Sequence, residues 1–522
     1  MTPRRLLIPP ILAYLAYCSS LTLLSHEGFP EGMRSGLGFP YLADKPVGED
    51  GFYMLTVAWN MASGHGIVYN YDLPTSGIQP LSTGIFALLA WAVQSLGGDK
   101  WLFVRSVLAF GSVTLLLLGH IVGTIVRRLT DPDAKGLGYA LGFLTVVFNF
   151  ALFRLFTYGL ETGIYLILLS SCILYTLALA RKGEMRARQA VILGALGGVT
   201  AWARIDFCVV FLVFLGVSAI RRQFTVPWVV EVGSVTALFI SPWLLYVYGV
   251  TGSWLPSSGS AQASLISMET APSRLWAMGK AILSHLTPWV YSNAGNVFLA
   301  AAFLSLAIFV AFLCADRTLW PSLSLRLKQQ SHLATWFVAL AVLVLVYVLF
   351  FWASHFYQRY SAPLLVPLAV VMAAAVADRI RSSSRAVQIV LAYTLPMCFF
   401  LWAFLSLHTG RIGNTHVVTA GFVQRWFGSN KVGAFQSGVV GFFNSNVVNL
   451  DGKMNQRALK SAKAGRLHLY VDEEHIDVLV DWPGVIHGSL DREWLASNWG
   501  RCAEEIGNGA SICLQRMSRS AK

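Results

Sequence analysis

The chain has 522 residues, 55% of them hydrophobic and 12% charged, with a formal net charge of +13 and a mean hydropathy of +0.59. Soluble proteins of this size carry about a quarter charged residues, so the composition excludes one. The basic residues sit in short loops between apolar runs, the positive-inside pattern, which accounts for the charge without a nucleic-acid partner.

The apolar runs recur from the N-terminus to about residue 407 and specify a polytopic α-helical membrane protein. The first, Leu6 to Leu24, follows Arg4-Arg5, contains Pro9-Pro10 and lacks a small-x-small cleavage site. It reads as an uncleaved first span with a cytoplasmic N-terminus. Further runs fall at 78–97, 103–126, 137–155, 159–180, 190–204, 206–220, 227–248, 296–315, 334–353, 362–378 and 386–407. The basic stretches at Arg127-Arg128 to Lys135, Arg181 to Arg188, Arg221-Arg222, Arg317 to Lys328 and Arg379 to Arg385 are expected to be cytoplasmic. If 78–97 crosses the bilayer, the first two of these land outside. If it lies along the membrane surface, every basic loop is inside and eleven spans remain. Gly77-Ile78-Gln79-Pro80 suits a juxtamembrane helix that begins in a loop. The runs 190–204 and 206–220 are short, about 22 Å each, and must turn at Arg204-Ile205-Asp206.

This topology places on one outer face the first external loop (about 25–102), Glu161, the Arg204–Asp206 turn, the loop 249–295 and Arg359. The expected division is a transmembrane domain over 1–408 and a small extracytoplasmic α/β domain over 409–522. In the latter, Leu467 to Val471 and Ile476 to Val480 read as strands joined by an acidic helical link. Cys502 and Cys513 can pair if that domain is outside the cytoplasm. No CxxC or Cys/His metal spacing is present.

The outer-face polar residues are the candidates for chemistry. Glu49-Asp50 are either solvated loop acids or a general base acting on a hydroxyl. Glu161 either pairs with Arg154 or joins Asp50; three converging acids would suit a divalent cation, although the sequence shows no requirement for one. Arg204 and Asp206 can pair and fix their turn. Arg359, flanked by aromatic residues at a span mouth, is either an interfacial anchor or a bidentate phosphate ligand. Lys280 and His285 lie in a loop that can reach the same phosphate. The small residues of Leu255-Pro256-Ser257-Ser258-Gly259 describe a flexible loop or a close backbone approach to a ligand.

At these residues the chain resembles the GT-C superfamily of polyprenyl-phosphate-sugar-dependent glycosyltransferases, which includes protein mannosyltransferases, aminoarabinose transferases and mycobacterial arabinosyltransferases. The resemblance rests on Glu49-Asp50-Gly51-Phe52, Asn60 to Gly66, Gly77 to Leu81, Gly159-Leu160-Glu161-Thr162, Ala203-Arg204-Ile205-Asp206, Leu255 to Gly259 and Gln358-Arg359-Tyr360, in that order. Val448 to Asn455 looks like the tail domain of the same group. The chain departs at Thr56-Val57, where many relatives carry a basic residue, and at Ile205, where Pro is usual. The resemblance implies a GT-C-like bundle in the cell inner membrane. It also implies inverting transfer of a sugar from a polyprenyl-phosphate donor to a glycan, lipid or protein acceptor of the cell envelope, without a required metal. Asp50 is then the base, Glu49 less so, with Glu161 beside it. Arg359, Arg204, Lys280 and His285 fall to the donor phosphate, and His65, Gln79 and Ser258 to the acceptor or its loops. The rival readings are a flippase of lipid-linked sugars, against which no broken helices repeat in two halves, and a catalytically inactive envelope-assembly scaffold.

Overall fold

The computed structural model describes residues 3–32, 35–70, 73–180, 186–264, 270–291, 295–351, 356–411, 415–507 and 509–517. His355 and the first part of the basic stretch from Arg181 lie outside them. Among the described residues, eight helices are long and apolar enough to cross a membrane: Leu6–Leu24, Lys100–Leu129, Thr162–Leu179, Val226–Thr251, Asn296–Cys314, Ser331–Phe350, Tyr357–Ile380 and Arg385–His408. The run expected as one span at 137–155 is instead a pair, Pro132–Val147 and Phe150–Thr157, bent by 57°. Asn149 makes the break, because its side chain accepts from Leu152 N (3.2 Å) and caps the second helix. That pair brings the number to nine. The short helices Ala187–Ala203 and Phe207–Ile220 meet at Arg204–Asp206; at 17 and 14 residues they are too short to be counted with these nine. The run 78–97 forms Pro80–Ser95, about 24 Å long, with Pro80 in its first turn, and packs on the helix Glu49–Ala62.

Two segments read from sequence as loops are partly helical. The loop 249–295 contains Ser257–Ser264 and Ala271–Leu286, and the basic stretch 317–328 is largely the helix Leu319–Gln329. On the latter, Leu319 and Leu323 are buried one turn apart while Arg326 and Lys328 close its last turn, an amphipathic pattern that a count of charges obscures.

The C-terminal region carries a mixed sheet. Strand β1 (Ser35–Leu37) pairs antiparallel with β2 (Thr409–Arg411) at the junction with the bundle. The strands β3 (Val432–Ala434), β4 (Val447–Asn449), β5 (Val478–Asp481), β6 (Trp499–Arg501) and β7 (Ile512–Arg516) form one sheet in the order β4-β3-β5-β7-β6. Its β4, β3 and β5 are parallel, whereas β7 runs antiparallel to both neighbours. Leu467 to Val471, expected as a strand, belongs to the helix Leu467–Glu473. Its buried residues Leu467, Tyr470 and Val471 have the i, i+3, i+4 spacing of a helix face. Cys502 and Cys513 form a disulfide beside the β6–β7 pair.

Alternation along β5 joins the region to the bundle. Val478 and Val480 face a core continuous with the transmembrane helices, and Leu479 faces a separate cluster under the region's own helices. The short helix Gly438–Phe443 lies against Glu49–Ala62, with the rings of Phe52 and Phe442 5.2 Å apart. The C-terminal region therefore forms part of the wall around the segment that follows the first apolar helix.

Candidate active site

Asp50 lies in the first turn of Glu49–Ala62, a helix whose next eight residues, Gly51 to Ala58, are all buried. Gly51 is needed there: a Cβ would lie 2.0 Å from the carbonyl oxygen of Tyr158. This close approach seats the loop that carries Glu161 against the helix that carries Asp50. Adjacent residues on a helix point about 100° apart, and the two acids diverge accordingly. Asp50 faces a cavity of about 410 Å³, whereas Glu49 accepts from the backbone N–H groups of Gly438 and Val439.

The cavity also receives Glu161, Arg204, Asp206, Arg359, Gln79 and Ser258. Arg204 ends the helix Ala187–Ala203 in extended backbone, which turns its side chain inward. It is 2% exposed, bonded through Nε to Asp206 (3.2 Å) and through Nη2 to Asp206 and to the Tyr347 hydroxyl (3.0 Å). The Tyr347 hydroxyl donates to the same Asp206 carboxylate. Tyr165 and Tyr360 lie on the Arg204 guanidinium at 4.9 and 5.2 Å. Glu161 Oε1 is 3.8 Å from Nε of Arg204 and 3.8 Å from Nε of Arg359. Its sequence-level partner Arg154 is bonded elsewhere, to the hydroxyl of Tyr291 at 2.6 Å.

Arg359 has more donor capacity left. Its Nη2 donates to the Tyr360 hydroxyl (3.0 Å), and its Nε is buried with no hydrogen-bond partner among the described residues. Phe356 and Tyr360 flank it at 5.4 and 4.9 Å. A guanidinium has five N–H donors in a fixed fork. Arg204 has committed most of its fork, so Arg359 is the group able to take two oxygens of a ligand.

One cavity residue was missed from sequence as a site. Lys453 Nζ lies 3.7 Å from Asp50 and 3.3 Å from Asp451. Burial works against its charge, but the Asp451 and Asp50 carboxylates more than offset this and hold Lys453 above the ordinary lysine range. Its turn is fixed by Ser257 Oγ donating to Lys453 O (2.7 Å), by Lys453 N donating to Asp451 (2.8 Å), and by Gly77, where a Cβ would lie 2.0 Å from Lys453 O. The sequence quotes Lys453 in a family-like stretch, but its partner Asp50 is some 400 positions away.

Four candidates lie outside this cavity. Glu49 is the clamp described above. Lys280 does not line it. His285 is 2% exposed and its Nε2 donates to Gln358 O at 2.8 Å; burial pulls its pKa down to about 4. That makes it a neutral support beneath the turn bearing Arg359. His65 lines a separate crevice. Among the described residues no three His, Cys, Asp or Glu side chains group closely enough to hold a metal, and the carboxylates of Asp50, Glu161 and Asp206 each face a cationic side chain.

No protein-family profile matches the chain, and no curated protein matches it in sequence. Solved structures do match in fold. ArnT from Cupriavidus metallidurans bound to undecaprenyl phosphate superposes with a TM-score of 0.56 at 10% identity, covering 98% of each chain. The oligosaccharyltransferase AglB from Archaeoglobus fulgidus, in complex with an inhibitory peptide and a dolichol-phosphate, gives 0.51 at 12% identity over 91% of this chain and 69% of its own. The Archaeoglobus fulgidus oligosaccharyltransferase in complex with Zn and sulfate gives 0.52 at 12% identity, over 94% and 71%. The chain shares its overall fold with ArnT and with the Archaeoglobus fulgidus oligosaccharyltransferase.

Proposed function

We propose that the chain is a glycosyltransferase that moves a sugar from a polyprenyl-phosphate donor to a cell-envelope acceptor on the extracytoplasmic face of the inner membrane. The observation that carries this reading is the pairing of one carboxylate, Asp50, with a donor-rich guanidinium, Arg359, across a single cavity. Apolar side chains such as Leu160, Val209, Leu343 and Val346 line it between them, which suits an isoprenoid entering from the bilayer. ArnT and AglB, which share the fold, are described with undecaprenyl phosphate and a dolichol-phosphate bound.

Asp50 accepts the proton of an acceptor hydroxyl as that oxygen attacks the anomeric carbon. The bond from that carbon to the phosphate oxygen breaks, and the electron pair stays on the polyprenyl phosphate. The additional negative charge falls to Arg359, whose fork can bind two phosphate oxygens. Attack from the side opposite the leaving phosphate inverts the anomeric centre. Arg204, tied to Asp206, Tyr347 and Glu161, holds the turn and the Glu161 carboxylate that brace Arg359. Lys453 offsets part of the negative charge that Asp50 and Asp451 bring together and holds the Asp50 carboxylate in place.

The test is reconstitution of the full chain with polyprenyl-phosphate sugars and envelope lipid or glycan acceptors. Donor-dependent transfer of labelled sugar supports the reading. Movement of the lipid-linked sugar across the membrane without transfer supports a flippase instead, and neither activity supports a scaffold.

A further inference from the structure

A second cavity of about 170 Å³ lies outside the proposed reaction centre, lined by Thr56, Asn60, His65, Tyr69, Lys100 and Ser445 among others. Thr56 and Asn60 lie on the same helix as Asp50, about 9 and 15 Å farther along its axis. Tyr53 lines the large cavity and Tyr69 lines this one, with their rings 5.6 Å apart. Both tyrosines are bonded to the loop before Gly438: Tyr53 to Phe435 O and Ser437 N, and Tyr69 to Ser437 O. The two rings form a fixed wall between the cavities.

Lys100 is the feature that needs an explanation. Its ammonium, half-buried at the start of the helix Lys100–Leu129, donates to Phe442 O and lies over the Phe442 ring at 5.2 Å. It makes no salt bridge to a carboxylate among the described residues. An ammonium has three N–H donors, so two remain for the cavity. A positive charge withdrawn from water without a counter-charge is unfavourable. The other groups around it are donors or neutral: the exposed His65 ring and the exposed Ser445 hydroxyl have no side-chain hydrogen-bond partner among the described residues, whereas Asn60 and Thr56 are tied to backbone carbonyls. The short helix Pro80–Ser95 ends near Ser63, with Gln94 bonded to Ser63 (3.0 Å) and the apolar side chains of Trp91 and Leu96 exposed.

We infer that this crevice is a second binding site, for an oxyanion of the phosphate type, held by Lys100, His65 and Ser445 on the far side of the Tyr53–Tyr69 wall from Asp50. The volume accommodates one such group with its nearest waters. Because its walls come from the first external loop and from Gly441 and Ser445 of the C-terminal region, the bound anion also ties those two parts together. The same chemistry is offered by a lipid headgroup and by free phosphate.

The experiment measures acylation of Lys100 by an amine-reactive reagent, resolved by peptide mass spectrometry on the full chain. Inorganic phosphate is added in detergent, and phosphatidic acid is compared with phosphatidylcholine in nanodiscs. Labelling follows the unoccupied fraction, so at about ten times the dissociation constant it slows roughly tenfold. Protection by phosphate identifies a free anion, and protection confined to phosphatidic acid identifies a headgroup; either supports the site. His65→Ala with Ser445→Ala weakens protection without changing labelling in the absence of anion. Arg359→Gln leaves protection intact. The inference is overturned if neither phosphate source protects Lys100, if chloride at matched ionic strength protects equally, or if Arg359→Gln abolishes the protection. None of these readouts depends on sugar transfer.

Discussion

The adjacent acids Glu49 and Asp50 are predicted to separate under mutation. Glu49 receives two backbone N–H groups at the start of Gly438–Phe443, at 3.0 Å from Val439 N and closer from Gly438 N. A hydrogen bond to a charged acceptor contributes about 1.5–3 kcal/mol, so Glu49→Ala, which removes both and strands two donors, should destabilise the docking of the C-terminal region by roughly 3–5 kcal/mol. Glu49→Gln keeps one carbonyl acceptor and should lose about half of that. The assays are thermal melting in detergent, limited proteolysis of the C-terminal region, and sugar transfer per folded molecule. Both variants should melt earlier and be cut faster in that order of severity, while transfer by the folded fraction falls by less than about tenfold, equivalent to about 1.4 kcal/mol of barrier. Wild-type melting and proteolysis combined with abolished transfer would refute the reasoning and place Glu49 in the chemistry.

Arg359→Lys keeps the charge and loses the fork, so it should weaken binding of a polyprenyl-phosphate analogue; Arg359→Gln should cost more, roughly 2–3 kcal/mol, at near wild-type thermal stability. Normal analogue binding with lowered stability in both would make Arg359 an anchor. His285 is held neutral, its pKa lowered by burial from 6.5 to about 4. The unfolded chain therefore takes up this proton first, and the contribution is complete above pH 6.5 and lost as the pH falls towards 4, about 3 kcal/mol in all. The melting temperature of the wild type should drop through that window and that of His285→Asn should drop less; equal slopes would remove His285 from the effect. Single cysteines at Asp99 and Asn430 should both react with a membrane-impermeant reagent added from outside, and labelling of either from the cytoplasm alone would invert the proposed topology.

The sequence shows residues whose neighbours announce them and hides those that act through distance. Asp50, Gln79, Glu161, Arg204, Ser258 and Arg359 stand in short polar stretches at the ends of apolar runs, and charge parity alone puts those ends on one face. The structure brings these six to one cavity. The divergence of Glu49 from Asp50 depends on a helix beginning at that residue, and the polar stretch Gly48-Glu49-Asp50-Gly51 carries the signature of a loop rather than of a helix start. Lys453 reaches Asp50 because Gly77 and Ser257 seat its turn, three segments with no local relation in sequence. Tyr347, which completes the Arg204–Asp206 network, reads as one more aromatic residue in an apolar span. Lys280 and His285 stand in a stretch that looks like a loop in sequence, but it folds as an amphipathic helix that keeps Lys280 off the cavity and buries His285. The bend at Asn149 was hidden because one polar residue does not interrupt an apolar run.

The central claim, that Asp50 is the base in a lipid-linked sugar transfer, is tested most directly by single-turnover transfer with Asp50→Asn. The exchange preserves size and removes the proton acceptor, so transfer should fall by about a hundredfold or more while donor-analogue binding and melting temperature stay at wild-type values. Turnover at the wild-type rate in that variant would contradict the account.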